Sequence, residues 1–242
     1  MSQSLEIVPE RSNRAPRAAE RAPRILRLGR RDAAWERSPQ VQPRLLTALA
    51  GCAAVARLST PGLLLRVACR TLALSPRLFR GQSPFRLRLK FLPLAALNQV
   101  LASRLDPAVR RASMEMVLRT AAMVETAVQF RPVMASPRIE TIAAQYRKVH
   151  SGAGRHQKVC YERCEAGCFQ FRVTDCAFLR VLREMGIGEL APAMCEADVC
   201  FWTRVVMGRG ISFSKNEQTL ARGGSCCRSS FVAAEPRPEK GA

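Results

Sequence analysis

Apolar residues recur along this chain with two different periods, and the change of period near residue 157 divides it. Before that point the spacing is helical. Leu45, Leu46, Leu49 and Cys52 share one face of a first helix, and Leu63, Leu64, Val67 and Leu74 one face of a second, with Pro61-Gly62 breaking the run between them. Gly81-Gln82-Ser83-Pro84 reads as a linker. Leu92, Leu94, Leu97, Val100 and Leu101 predict a third helix beginning near Pro93. Asp106-Pro107 opens the next, with Asp suited to the cap and Pro to the first turn. Its apolar stripe runs through Val109, Met114, Met116, Val117, Ala121, Val124 and Val128. A Met-rich stripe at this spacing reads as core packing. Pro132 and Pro137 close it, and residues 139–149 fit one more short helix.

From residue 157 the alternation shortens to two. Residues 157–164 and 168–175 read as strands joined by Glu165-Ala166-Gly167, with Phe169, Phe171 and Val173 on one side of the second. Phe178, Val181, Leu182 and Met185 return to helical spacing, and Gly186 stops them. Glu189-Leu190-Ala191-Pro192 opens a second helix. Residues 211–220 and 226–233 form a closing hairpin around Arg222-Gly223-Gly224-Ser225. The expected fold is α+β: a helical N-terminal half, then a small antiparallel sheet of about four strands with two packed helices. The expected organisation is a disordered basic tail (1–42), a helical region (43–150), a Cys-rich α+β domain (151–233) and a second disordered tail (234–242).

Charge changes this picture in one region. The chain carries a net charge of +20, and between Ser38 and Leu105 there are ten Arg or Lys and no Asp or Glu. Such a balance suits an anionic partner or a solvated face. The few aromatic residues are not interleaved with the basic ones, which argues against a nucleic-acid platform. The helix pair between Pro43 and Pro84 is expected to cover the later domain, and peripheral membrane contact through residues 43–92, as a basic amphipathic pair, is the competing reading. No uninterrupted apolar run is long enough to span a bilayer, and the first residues lack an export-signal pattern. The expected location is therefore cytoplasmic, where ten cysteines are ligands, nucleophiles or buried apolar groups rather than disulfides.

The chemistry-bearing residues gather late in the chain. Cys195 and Asp198 are three apart on one helix and share a face. Cys176 lies where a strand gives way to a helix, and Cys227 lies in the last strand. A thiolate beside a carboxylate suits nucleophilic catalysis or a soft metal, while a small buried hydrophobe is the plain alternative for each cysteine. Cys226 and Cys227, adjacent in a strand, point to opposite faces, so one of them at most joins a given site. Cys160, Cys164 and Cys168 recur every fourth residue, which is neither a zinc-ribbon nor a ferredoxin spacing. On an unbroken strand Cys160 and Cys164 would share a face, leaving a structural metal site open. His150 and His156, flanking a Gly-rich segment, suit ligands, a general base or plain exposure.

Several motifs taken in order carry a resemblance. They are Phe171-x-Val173-Thr174-x-Cys176, Gly188-Glu189-Leu190, Cys195-x-x-Asp198, Gln218-Thr219-Leu220-x-x-Gly223 and Cys226-Cys227. Together, over residues 157–231, they resemble the L-2-amino-thiazoline-4-carboxylic acid hydrolase family. The resemblance implies a hydrolase opening a small cyclic amidine, with Cys176, Cys195, Asp198 and Cys227 as catalytic candidates. Arg172, Arg204, Thr219 and Arg228 are the candidates for holding the substrate. It leaves a divalent metal open as cofactor and implies a small-molecule partner, with the oligomeric state open. One departure stands out: where the family shows Cys-Asp-Phe-x-aromatic, this chain has Cys227-Arg228-Ser229-Ser230-Phe231. The competing reading is a non-catalytic module that binds a ligand or metal through its cysteines.

Overall fold

A computed structural model describes residues 41–151 and 156–234, with side chains from residue 46 onward. The expected tails and the Gly-rich segment at 152–155 therefore fall largely outside the described residues. Six helices come first: α1 (Val41–Val55), α2 (Thr60–Leu74), α3 (Phe85–Ala102), α4 (Pro107–Gln129), the single turn α5 (Arg131–Met134) and α6 (Ile139–Ser151). Then follow β1 (Gln157–Glu165), β2 (Cys168–Cys176), α7 (Ala177–Glu184), α8 (Ala191–Val206), β3 (Ile211–Lys215) and β4 (Cys227–Ala233). The four strands form one antiparallel sheet in the order β1-β2-β4-β3. The α+β fold with a helical first half is the one the periodicity predicts.

The helical half and the α+β part share a core. Cys52, Leu63, Phe91, Leu101 and Met114 from α1–α4 are buried in one cluster with Val181, Leu182 and Ala193 from α7 and α8. The face of α1 that enters this core is built on Ala48, Cys52 and Ala53, and Leu46 is exposed, contrary to the expected stripe. Small side chains let α1 approach its neighbours closely, which a Leu face would prevent. α3 begins at Phe85 rather than near Pro93, and Pro93 sits within it.

Gly81-Gln82-Ser83-Pro84 is not a free linker. The Gln82 and Ser83 amides donate to Glu184 Oε1 at 3.0 and 3.1 Å, and Arg88 Nη1 donates to the Gly81 carbonyl at 3.0 Å. One carboxylate from α7 thus satisfies two backbone donors of the bend between α2 and α3.

The inner face of the sheet is aromatic. Phe169 and Phe171 of β2, Phe213 of β3 and Phe231 of β4 lie under Tyr146 of α6 and Trp202 of α8. Trp202 meets Phe231 edge-on with centroids 4.9 Å apart. Two register shifts decide which side chains join this face. Val159 pairs with Val173 while Lys158 pairs with Asp175, so Thr174 is the extra residue. Tyr161 pairs with Phe171 and Arg163 with Gln170, so Glu162 is another. Each bulge reverses the alternation beyond it. Cys160 consequently shares a face with Arg172, and Cys164 with Phe169, so the two cysteines lie on opposite faces. The unbroken-strand expectation for them fails for that reason.

The predicted strand at 211–220 ends at Lys215. Asn216 takes the chain out of the ladder: its Nδ2 donates to the Gln218 and Cys226 carbonyls at 2.7 and 3.0 Å, and its Oδ1 accepts from the Arg228 amide at 2.6 Å. An Asn that bonds its own loop in this way competes with sheet pairing. A short helical turn, Leu220–Arg222, follows and ends at Gly223 with φ 84°.

Candidate active site

A cavity of about 270 Å³ lies between the inner face of the sheet and helices α4, α6, α7 and α8. Cys176, Cys195, Asp198 and Cys227 all line it. Helix α8 supplies Cys195 and Asp198 from one face, a turn before Trp202, which anchors that face in the aromatic core. Strand β4 supplies Cys227 and Ser229, directly opposite Val173 and Phe171 of β2. Cys176 belongs to the cavity because of the Thr174 bulge. Simple alternation from Val173 would turn it outward.

The side chain that organises the charge is Lys215. It ends β3, pairs with Ser229 across the strand and is only 7 % exposed. Its Nζ donates to Asp198 Oδ2 at 2.8 Å. Burial works to lower the Lys215 pKa, but Asp198, Cys195 and Cys227 around it reverse the sign and hold the ammonium charged. Sequence reading overlooked this residue. Its signal was there, since Lys215 shares the parity of Ile211 and Phe213 and so stands on the apolar side of its strand.

The thiols divide into unlike roles. The Cys227 thiol faces the Cys195 sulfur as a hydrogen-bond donor, and this lowers the Cys195 pKa to about 6 against the opposing effect of burial. The Lys215 charge and the neighbouring Thr219 hydroxyl act in the same direction. Cys227 is displaced upward by the same contact with Cys195 and by burial, and its sulfur accepts from the Leu220 amide at 3.3 Å. The pair therefore shares one proton, with the negative charge on Cys195. Burial raises the Cys176 thiol, so that sulfur stays protonated. Burial also raises the Tyr146 phenol, and the Asp198 charge adds to it.

The loop that brings Thr219 and Leu220 to the thiols depends on Gly224. A Cβ there would stand 2.0 Å from the Gln218 carbonyl oxygen. The Gly224 amide closes the loop by donating to the Thr219 carbonyl at 2.9 Å.

At the other end of the cavity stand His150, His156 and Gln157. His150 Nδ1 lies 2.8 Å from the Tyr146 carbonyl and its Nε2 lies 3.0 Å from Gln157 Oε1. His156 packs edge-on against Phe178, and its buried Nδ1 has no hydrogen-bond partner. Burial lowers its pKa, so the ring is neutral near pH 7 and can take or give a proton. These three residues also line an outer pocket with Arg147, Lys158 and Arg180.

The arginines lie elsewhere. Arg172 and Arg228 face each other across β2 and β4 on the outer face of the sheet. Both reach Glu162, at 3.4 and 3.0 Å, and that carboxylate offsets two like charges in register. Arg204 is exposed on α8 and does not line the cavity. The Arg228 departure thus falls on the face away from the thiols, whereas Ser229 beside it opens onto the cavity. Cys226 does not line the cavity, and all ten cysteines are free thiols. Among the described residues no group of three or more His, Cys, Asp or Glu is arranged to hold a metal ion.

A model of the L-2-amino-thiazoline-4-carboxylic acid hydrolase family matches residues 90–231. The chain belongs to this family. The match is wider than the motif-bearing stretch at 157–231, and it takes in every residue that lines the thiol cavity, from Ala122 to Ser229. No curated protein and no solved structure matches the chain. Helices α1 and α2 lie before the part that matches the hydrolase family.

Proposed function

We propose that this member of the hydrolase family opens a small cyclic amidine such as L-2-amino-thiazoline-4-carboxylate, with Cys195 as nucleophile. The observation that carries this reading is a low-pKa thiol beside a buried lysine and its partly exposed aspartate partner, all lining one cavity. A 2-amino-thiazoline carboxylate presents both charges, an amidinium and a carboxylate. Asp198 complements the first and Lys215 the second. The expected arginine anchors at 172, 204 and 228 give way to Lys215 in this reading, since none of them lines the cavity.

The Cys195 sulfur attacks the amidine carbon, and the electron pair of its C=N bond moves to nitrogen. That carbon then loses its ring bond to sulfur or nitrogen, and the leaving atom takes a proton. Cys227 and the half-buried His156 are donors that line the cavity, and the Thr219 hydroxyl stands beside Cys195. Water adds to the same carbon and expels the Cys195 thiolate. The net change is one water added and one ring opened, with no oxidant or reductant needed.

Turnover of L-2-amino-thiazoline-4-carboxylate by the purified, reduced protein tests the reading. Wild type is expected to form ring-opened product. Cys195→Ser is expected to lose at least about a hundredfold in kcat with an unchanged thermal midpoint, and Asp198→Asn to lose as much with a lowered midpoint, because Lys215 is then buried without its carboxylate. Full activity in both variants would remove the mechanism.

A further inference from the structure

The strongest feature that the cavity leaves unexplained is the outer side of α2. Leu64, Leu65, Ala68, Cys69, Leu72, Ala73 and Pro76 recur at helical spacing and are all exposed. Leu65 and Leu72 are 66 and 74 % exposed, and Phe79, just beyond the helix, is 79 % exposed. The Phe79 ring lies 6.0 Å from that of Phe85, also exposed, at the start of α3. This is a continuous apolar stripe rather than scattered surface residues. The opposite side of α2 is committed to the core through Leu63 and Leu74.

The stripe is fringed by one sign of charge. Arg66, Arg70, Arg80 and Arg86 are exposed along it, and the sequence has no acidic residue between Ser38 and Leu105. Two copies meeting stripe to stripe would bring these rows of arginine together with no carboxylate of the segment between them. An anionic lipid surface supplies the opposite charge and takes the leucines and phenylalanines into its interface. No single helix among the described residues is long and apolar enough to cross a membrane. The one pair that passes together, Leu46–Val55 with Thr60–Phe79, is bent by 96°. With one side held in the core and the other bare, such a pair suits lying on a bilayer rather than spanning it.

We propose that the α2 face, from Leu64 to Phe85, docks this protein on the surface of an anionic phospholipid bilayer. The stripe lies outside the family match, so the docking is an addition to the hydrolase part rather than a feature of its cavity.

Co-sedimentation of the full-length protein with vesicles tests this. The vesicles are phosphatidylcholine alone, or phosphatidylcholine with about 30 % phosphatidylserine. The expected result is binding to the anionic vesicles that falls at least tenfold between about 0.1 M and about 0.5 M salt. The triple variant Leu65→Gln/Leu72→Gln/Phe79→Gln alters only exposed side chains and is expected to keep its thermal midpoint and lose at least tenfold in binding. Absence of binding to anionic vesicles would overturn the proposal. So would equal binding to neutral ones, or binding that survives the triple variant, because the attraction would then come from charge elsewhere in the chain. A dimer in solution that the triple variant dissociates would assign the stripe to a second copy instead.

Discussion

A lysine at the end of β3 would ordinarily keep its ammonium in water, because burying an unpaired charge is costly. Lys215 is buried, and the cost is offset by Asp198 at 2.8 Å and by the thiol pair beyond it. Its effect is felt at Cys195, whose pKa falls to about 6. A depressed pKa means that the reactive thiolate is present above that pH and is lost as pH falls through it. Alkylation of Cys195 by iodoacetamide, followed by mass spectrometry, is therefore expected to rise through about pH 6, while Cys52, pushed up to about 11, stays unreactive in the folded protein. Cys227→Ala removes the largest cause of the shift and is expected to move the Cys195 midpoint up by at least about one pH unit. A midpoint unmoved by that change would show that Cys227 is not the donor. At this scale the sequence disclosed the three cysteines and the aspartate as one candidate set, and the cavity brings them together, but it did not disclose the lysine that charges them. Cys195-x-x-Asp198 was legible as one helix face. Cys227 was a named candidate, but its direct contact with Cys195, and the lysine beside them, depend on strand positions relative to that helix that no local pattern encodes.

Elements explain which cysteines reach the cavity. The bulge at Thr174 turns Cys176 inward, and the bulge at Glu162 separates Cys160 from Cys164. Both shifts were invisible to a period-two reading, since a bulge leaves the residue types of a strand unchanged and alters only its count against the neighbour. The same reading ran β3 on to residue 220, because Asn216 was not recognised as a residue that would bond its own loop. That loop is where backbone geometry bears on chemistry. Gly224→Ala places a methyl against the Gln218 carbonyl and is expected to displace the segment carrying Thr219 and Leu220. The expected outcome is a stability loss of about 1–3 kcal/mol by urea denaturation, together with a rise in the alkylation midpoint of Cys195. A shifted stability with an unchanged midpoint would separate the loop from the thiol pair.

Across the whole molecule, the helical half proves to be part of the scaffold that holds the cavity. Cys52, Leu63 and Met114 share a core with Val181 and Ala193, and α4 and α6 close the cavity over the sheet. The helical and α+β composition was legible from the change in apolar period. The packing of the first helix pair against the later domain was expected, and the shared core bears it out, but which residues meet was not legible, because a stripe shows that a helix buries a face without showing against what. The centre of the sheet-side core is Phe231, fully buried among Trp202, Phe213 and Phe169. Phe231→Ala is expected to cost about 3–5 kcal/mol, read as a lowered denaturant midpoint, since so large a void among packed rings cannot collapse. A loss below about 1 kcal/mol would mean that the aromatic core is not closely packed there. The most direct test of the central claim is the pH dependence of L-2-amino-thiazoline-4-carboxylate hydrolysis by the reduced wild-type protein. The account predicts turnover whose kcat/KM rises with pH through an apparent pKa near 6, set by the Cys195–Cys227 pair, and which disappears in Cys195→Ser. No turnover from a folded, reduced sample, or turnover that persists with serine at 195, would contradict it.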